Sequence, residues 1–166
     1  MDTTGFRLNH TMLRVRDPNS SLEFYKRYLG ATLIESFEFD DLGFTLYFLG
    51  FQDQLSDQIP SDRGERIQWM ASQSGLLELT HNHGTEKDPD FEGYHSGNSE
   101  PQGFGHICIS VPDIDATCDH LEQAGVEFIK KPNGGSMKGI AFIKDPDGYW
   151  IELFSPLSLR ALITDR

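Results

Sequence analysis

Apolar and polar residues alternate along His10-Thr11-Met12-Leu13-Arg14-Val15. Thr11, Leu13 and Val15 share one face, while His10, Met12 and Arg14 share the other, which is the period of a β-strand. Asp17-Pro18 follows, an N-cap residue with a proline suited to the first helical position. Leu22, Tyr25, Tyr28 and Leu29 then predict a helix with one apolar stripe, closed by Gly30. Two further strands are expected at about 31–38 and 43–50, with Phe44, Leu46 and Phe48 on one face of the second. Residues 51–66 are polar, acidic and broken by Pro60 and Gly64, and are read as a loop insertion. A last strand holds Leu76-Leu77-Glu78-Leu79-Thr80.

The same order then begins again. His10, a strand ending in Val15, one residue and Asp17 are matched by His106, a strand ending in Val111, Pro112 and Asp113. Ile107, Ile109 and Val111 form the apolar face, and His106, Cys108 and Ser110 the opposite one. Asp113 is the expected cap of a helix that buries Ile114, Cys118 and Leu121 and ends at Gly125. Strands are expected at 126–130 and 138–144. Asp145-Pro146-Asp147-Gly148 makes a turn into Tyr149-Trp150-Ile151-Glu152-Leu153. Each half thus reads strand, helix, three strands. This is an α+β chain of two βαβββ modules, residues 6–82 and 103–156, joined by a polar insertion at 83–102 and followed by a tail, 157–166, with a short helix. A repeat of this kind governs the whole interpretation of a chain.

Composition narrows the function. A net charge of −12 over 166 residues argues against nucleic acid or an anionic membrane as partner. The first residues lack a signal-peptide pattern and no apolar run approaches membrane length, so a cytoplasmic protein is expected. Cys108 and Cys118 form no disulfide framework and are expected to be small buried hydrophobes.

The repeat also duplicates chemistry. Glu78 lies in Leu-Glu-Leu-Thr and Glu152 in Ile-Glu-Leu-Phe, both mid-strand among apolar neighbours. A carboxylate is rarely placed there without a partner. Together with His10 and His106, at equivalent positions of the two copies, they compose a nitrogen–oxygen donor set. Zinc, nickel, iron or cobalt would suit it better than calcium. A closed structural site is the rival, but structural zinc favours cysteine and neither cysteine is suitably spaced. Two carboxylates also allow open positions and a general base, which favours catalysis. His81, His83, His95 and His120 have no counterpart and are expected in loops or on the surface.

The motifs carry a resemblance. His-Thr-Met-Leu-Arg-Val-Arg-Asp-Pro (10–18), Ser-Leu-Glu-Phe-Tyr (21–25), Leu-Tyr-Phe-Leu-Gly (46–50), Leu-Glu-Leu-Thr-His-Asn (77–82), Gly-Tyr-His-Ser-Gly-Asn-Ser (93–99), Gly-Phe-Gly-His-Ile (103–107) and Asp-Pro-Asp-Gly-Tyr-Trp-Ile-Glu (145–152) resemble, in this order, the glyoxalase I family of the vicinal oxygen chelate superfamily. The resemblance implies paired modules with curved mixed sheets and a barrel-like active site completed by dimerisation. It implies a homodimer in which His10 and Glu78 of one chain meet His106 and Glu152 of its partner around one divalent metal. Histidine stands at His10 where the family often has glutamine. The two insertions are similar to those of the zinc-using branch, with nickel or cobalt as alternatives.

The implied reaction is isomerisation of the methylglyoxal–glutathione hemithioacetal to S-D-lactoylglutathione through an ene-diolate. Glu152 is the implied base and Glu78 its counterpart. For glutathione, the resemblance marks Arg14 at the glutamyl carboxylate, Asn82 as a glutathione contact, and Lys130 and Lys131, with the 133–137 loop, at the glycyl end. Phe39, Leu46, Phe48 and Met137 are candidates either for the pocket beside the sulfur or for the core. Gln102 occupies the place of a usual arginine, and weaker glutathione binding or a different thiol is expected from it, since glutamine cannot form the charged bidentate pair. The alternatives are an epimerase of other thiol conjugates, an extradiol dioxygenase and a non-catalytic ligand-sequestering protein, because one fold serves many functions.

Overall fold

The computed structural model describes residues 1–53 and 55–164 and divides into two compact units, Met1–Tyr94 and His95–Arg166. In the first unit the chain runs β1 (His10–Val15), α1 (Pro18–Leu29), β2 (Thr32–Phe39), a 3-10 turn at Asp40–Leu42, β3 (Phe44–Gly50), α2 (Leu55–Gln58), α3 (Arg63–Ala71) and β4 (Leu76–Asn82). The second runs β5 (His106–Ser110), α4 (Ile114–Gln123), β6 (Phe128–Lys130), β7 (Ile140–Lys144), β8 (Trp150–Phe154) and α5 (Pro156–Thr164).

Each unit builds one open four-stranded mixed sheet. The orders are β1-β4-β3-β2 and β5-β8-β7-β6, so the repeat seen in the sequence is a repeat of topology. In each, the first strand pairs in parallel with the last, and the remaining pairs are antiparallel. The parallel pair requires a crossover, which α1 and α4 supply. Even the irregularity recurs. The register slips between Leu33 and Glu35 in β2 and between Phe128 and Lys130 in β6, a bulge at the same place in both copies.

Local chemistry explains the helices. Asp17 accepts the Asn19 amide ahead of α1, and Gly30 ends it at φ 69°, a left-handed conformation that glycine adopts without a steric penalty. The buried stripe of α1 is Ser21, Phe24 and Tyr25, with the expected Leu22, Tyr28 and Leu29 only half-buried. Asp113 caps α4 through the Ala116 amide, and Ile114, Cys118 and Leu121 are buried as expected. Leu13, Val15, Leu49, Leu77 and Leu79 form the apolar face of the first sheet, and Ala141, Ile143, Ile151 and Leu153 that of the second. Each such large side chain contributes about 1.5–3 kcal/mol when fully buried.

Segment 51–66 is not the loop the composition predicts. It contains α2 and the start of α3, and α3 runs on to Ala71. Pro60 precedes the cap, Asp62 accepts the Glu65 amide, and Gly64 falls in the first helical turn, where it interrupts little. The two helices close over the first sheet in a cluster of Ile34, Phe48, Leu55, Met70 and Leu76, flanked by Phe37, Leu46, Ile59 and Trp69. The tail helix is present as α5, and residues 165 and 166 lie outside the described residues. No helix among the described residues is long and apolar enough to cross a membrane.

Candidate active site

Strand pairing decides which side chains share a face, because residues directly opposite one another project to the same side. In the first sheet Met12, Glu78, Phe48 and Glu35 form one cross-strand row. The next row is Arg14, Thr80, Leu46 and Phe37, and then come Asn82, Phe44 and Phe39. His10 lies two residues before Met12 and so joins the same face. The pattern of residue types therefore brings His10, Arg14, Phe39, Leu46, Phe48, Glu78 and Asn82 onto one side of one sheet.

In the second sheet the matching row is Cys108, Glu152, Phe142 and Lys130, with His106 and Trp150 in the row before it. The correspondence extends to atoms. His10 Nε2 lies 3.1 Å from Glu78 Oε2, and His106 Nε2 lies 3.2 Å from Glu152 Oε2. His10 meets Phe48 edge-on at 5.3 Å, and His106 meets Phe142 edge-on at the same separation. Each phenylalanine thus braces an imidazole against its glutamate.

These spacings fit a metal. Ligand bonds of about 2.0–2.2 Å at tetrahedral to right angles put neighbouring donor atoms about 2.8–3.6 Å apart, and both pairs, at 3.1 and 3.2 Å, fall in that window. Among the described residues no three histidine, cysteine, aspartate or glutamate side chains converge on one point, so each sheet offers a pair of donors. His10 also contacts the Asn9 Oδ1 through Nδ1 at 2.8 Å. That leaves Nε2 to face the glutamate and orients the ring.

The surroundings of the two carboxylates differ. Glu78 is buried and its Oε1 accepts a hydrogen bond from the Thr80 hydroxyl at 3.0 Å. Glu152 is half-buried and stands opposite the Cys108 thiol across the parallel strand pair. Desolvation of the sulfur, followed by the negative charge of nearby Glu152, pushes that thiol up to about 12. It is therefore protonated and a poor nucleophile at neutral pH. Cys108 is exposed, against the expectation of a buried hydrophobe, because the strand turns it to the face of His106. Cys118, on the buried side of α4, meets that expectation. The alternation that placed Cys108 with His106 was the signal that the cysteine belongs to the site.

The remaining candidates are placed as follows. Arg14 is exposed on the His10 face. Asn82 donates to the Tyr94 hydroxyl at 3.0 Å. Phe48 is buried in the cluster beneath α2 and α3 and Leu46 packs against it, so both act first as core. Phe39 stacks on Phe44 and is 39% exposed, and Met137 is similarly open. Lys130 donates to the Ile140 carbonyl at 2.6 Å, and burial lowers its pKa against the opposing influence of Cys118 and Glu152. Lys131 pairs with Glu122 of α4. Gln102 is exposed, just after the cis Glu100–Pro101 bond.

His81 is not in a loop. It is buried in β4, and its Nε2 lies 2.8 Å from Glu86 Oε2. The Glu86 carboxyl is drawn down to about 2 by its own backbone N–H and then by His81. His83 contacts the Thr45 hydroxyl at 2.9 Å. His81 points to the face opposite Glu78, so this cluster buttresses the strand from behind.

The class follows from comparison with known proteins. Residues 7–153 match the model of the Glyoxalase/Bleomycin resistance protein/Dioxygenase superfamily, and the chain belongs to that family. More particularly, it is 53% identical over 157 residues to a lactoylglutathione lyase of Pseudomonas putida, covering 95% of this chain and 89% of that one. It is 47% identical to a lactoylglutathione lyase of Pseudomonas aeruginosa, covering 91% and 83%. Among solved structures it resembles the trypanothione-dependent glyoxalase I of Leishmania major, with a TM-score of 0.67 and 28% identity over 93% of this chain and 90% of that one.

Proposed function

We propose that this chain is a metal-dependent lactoylglutathione lyase that isomerises the hemithioacetal of methylglyoxal and glutathione to S-D-lactoylglutathione. The observation that carries the proposal is the repeated pair, His10 with Glu78 and His106 with Glu152, at 3.1 and 3.2 Å. In this reading the four side chains are the metal donors, two from one chain and two from a second copy in a homodimer. Zinc is the proposed ion, in keeping with imidazole and carboxylate donors. When bound, it supplies positive charge against the negative charge that grows on the substrate oxygens.

The chain's own residues do the rest. Glu152 takes the carbon-bound proton and returns it to the neighbouring carbon, with Glu78 as its counterpart on the opposite side of the substrate. A single carboxylate in both roles needs a position within hydrogen-bond reach of both carbons. Arg14 and Asn82 hold the glutamyl end of glutathione, and Lys130, Lys131 and the 133–137 loop its glycyl end. Met137 and Phe39, backed by Leu46 and Phe48, line the sulfur. A cytoplasmic setting, where thiols are kept reduced, completes the proposal.

A second reading concerns the thiol. Gln102 is uncharged and exposed, and the Leishmania relative is named for a different thiol. Another thiol conjugate is therefore the alternative substrate. The deciding experiment strips the protein of metal, supplies methylglyoxal and glutathione, and follows thioester absorbance as zinc, nickel, cobalt or manganese is added in turn. Restored turnover is expected with zinc. His106→Ala should lose both metal content and turnover. A folded, metal-loaded protein that is silent with glutathione but active with another thiol would overturn the first reading in favour of the second.

A further inference from the structure

The two glutamates are equivalent in every respect of register and differ at one oxygen. Glu78 stands opposite Met12 and beside Phe48, and Glu152 opposite Cys108 and beside Phe142. Both present Oε2 to the Nε2 of a histidine. The residue two positions on is Thr80 in one copy and Phe154 in the other, paired alike with the first and third strands of its sheet. Thr80 is buried, and its hydroxyl donates to Glu78 Oε1 at 3.0 Å. Phe154 has no donor. Beyond His106, the side chain opposite Glu152 is the Cys108 thiol, and a thiol is a weak donor.

We propose that Thr80 is a positioning residue that holds Glu78 as a fixed carboxylate, and that its replacement by Phe154 in the second copy leaves Glu152 free to move as the base. The inference rests on the function proposed above. Gripped at Oε1 by the Thr80 hydroxyl, Glu78 can swing towards substrate only by giving up the hydrogen bond and leaving the hydroxyl unpaired in a buried place. Glu152, with Phe154 at the matching position, leaves no such hydroxyl behind. The duplicated fold makes two carboxylates alike, and a single hydroxyl divides their labour.

Two measurements test this. Metal affinity, read by competition with a chromophoric zinc chelator, is expected to fall about 10–100-fold in Thr80→Val and to return in Thr80→Ser, as for other groups that orient a ligand. The residual turnover of Glu152→Gln is expected to rise severalfold when Thr80→Val is added, because Glu78 is then released to act. Wild-type affinity in Thr80→Val, or no gain in the double variant, would overturn the proposal. Should Thr80→Val not fold, Phe154→Thr serves instead: a hydroxyl beside Glu152 should lower kcat with little change in KM, and an unchanged kcat would overturn the proposal equally. If the wild-type protein itself shows no lyase turnover, the function fails, while the chelator competition still reports whether Thr80 holds Glu78.

Discussion

His10 and Glu78 touch although they are not strand partners. The residue paired with Glu78 is Met12, and the histidine reaches diagonally across two positions to bring Nε2 within 3.1 Å of the carboxylate. His106 and Glu152 repeat the diagonal around Cys108. A one-residue slip in the parallel pair would send the histidine to the opposite face, so the site depends on sheet register as much as on residue identity.

Glu152→Gln removes the proposed base while keeping the shape. Steady-state kinetics should show kcat down by about a hundredfold to ten-thousandfold, with far-ultraviolet circular dichroism unchanged. A loss smaller than tenfold would assign the proton transfer elsewhere.

Gln102→Arg restores a charged donor at the exposed position after the cis-proline. A hydrogen bond to a charged group contributes about 1.5–3 kcal/mol, so KM for the glutathione hemithioacetal should fall by about tenfold or more, with kcat little changed. An unchanged KM would show that this position does not touch the thiol.

Glu86 links stability to pH. Its carboxyl sits at about 2 in the folded protein against an ordinary 4.5. A depressed folded value means that the unfolded chain binds the proton first on acidification. The contribution is therefore full above about pH 4.5 and is lost as pH falls towards about 2. Glu86→Gln should lower Tm at neutral pH, and the gap to wild type should close near pH 2 in thermal melts.

Arg66 secures Glu35 at the bulge of β2. Its Nε lies 2.9 Å from the Glu35 carboxylate, while its Nη1 donates to the Pro60 and Ser61 carbonyls. Burial pushes Glu35 up, but the Ser36 amide, Arg66 and Arg63 together hold it below its ordinary value. Arg66→Met should cost about 1–3 kcal/mol in denaturant unfolding. Adding Glu35→Gln should recover part of that, since the pair is coupled.

The bulge also shows where the sequence ran short. Glu35 and Lys130 occupy the same register position in the two sheets, yet neither period nor spacing pairs them, because a slip of one residue breaks the alternation. Segment 51–66 hides its helices for a related reason. Proline and glycine look like interruptions until Asp62 is seen to cap α3 between them. The pattern around His81 leaves it to a loop or the surface because its partner Glu86 lies beyond the strand's end, and nothing local announces that pairing.

By itself, the order of residues determined the duplication, the strand, helix, three-strand plan of each unit and the pairing of a histidine with a glutamate in each copy. Those signals are local: an alternation of two, a cap before a helix, a glycine after it, and a histidine and a glutamate at matching places. Tertiary structure alone decided which oxygen each histidine meets, that Thr80 grips Glu78, and that Cys108 stands beside Glu152 rather than in the core. These depend on register between strands far apart in the chain, and register is set by the summed packing of both sheet faces rather than by any short stretch of residues.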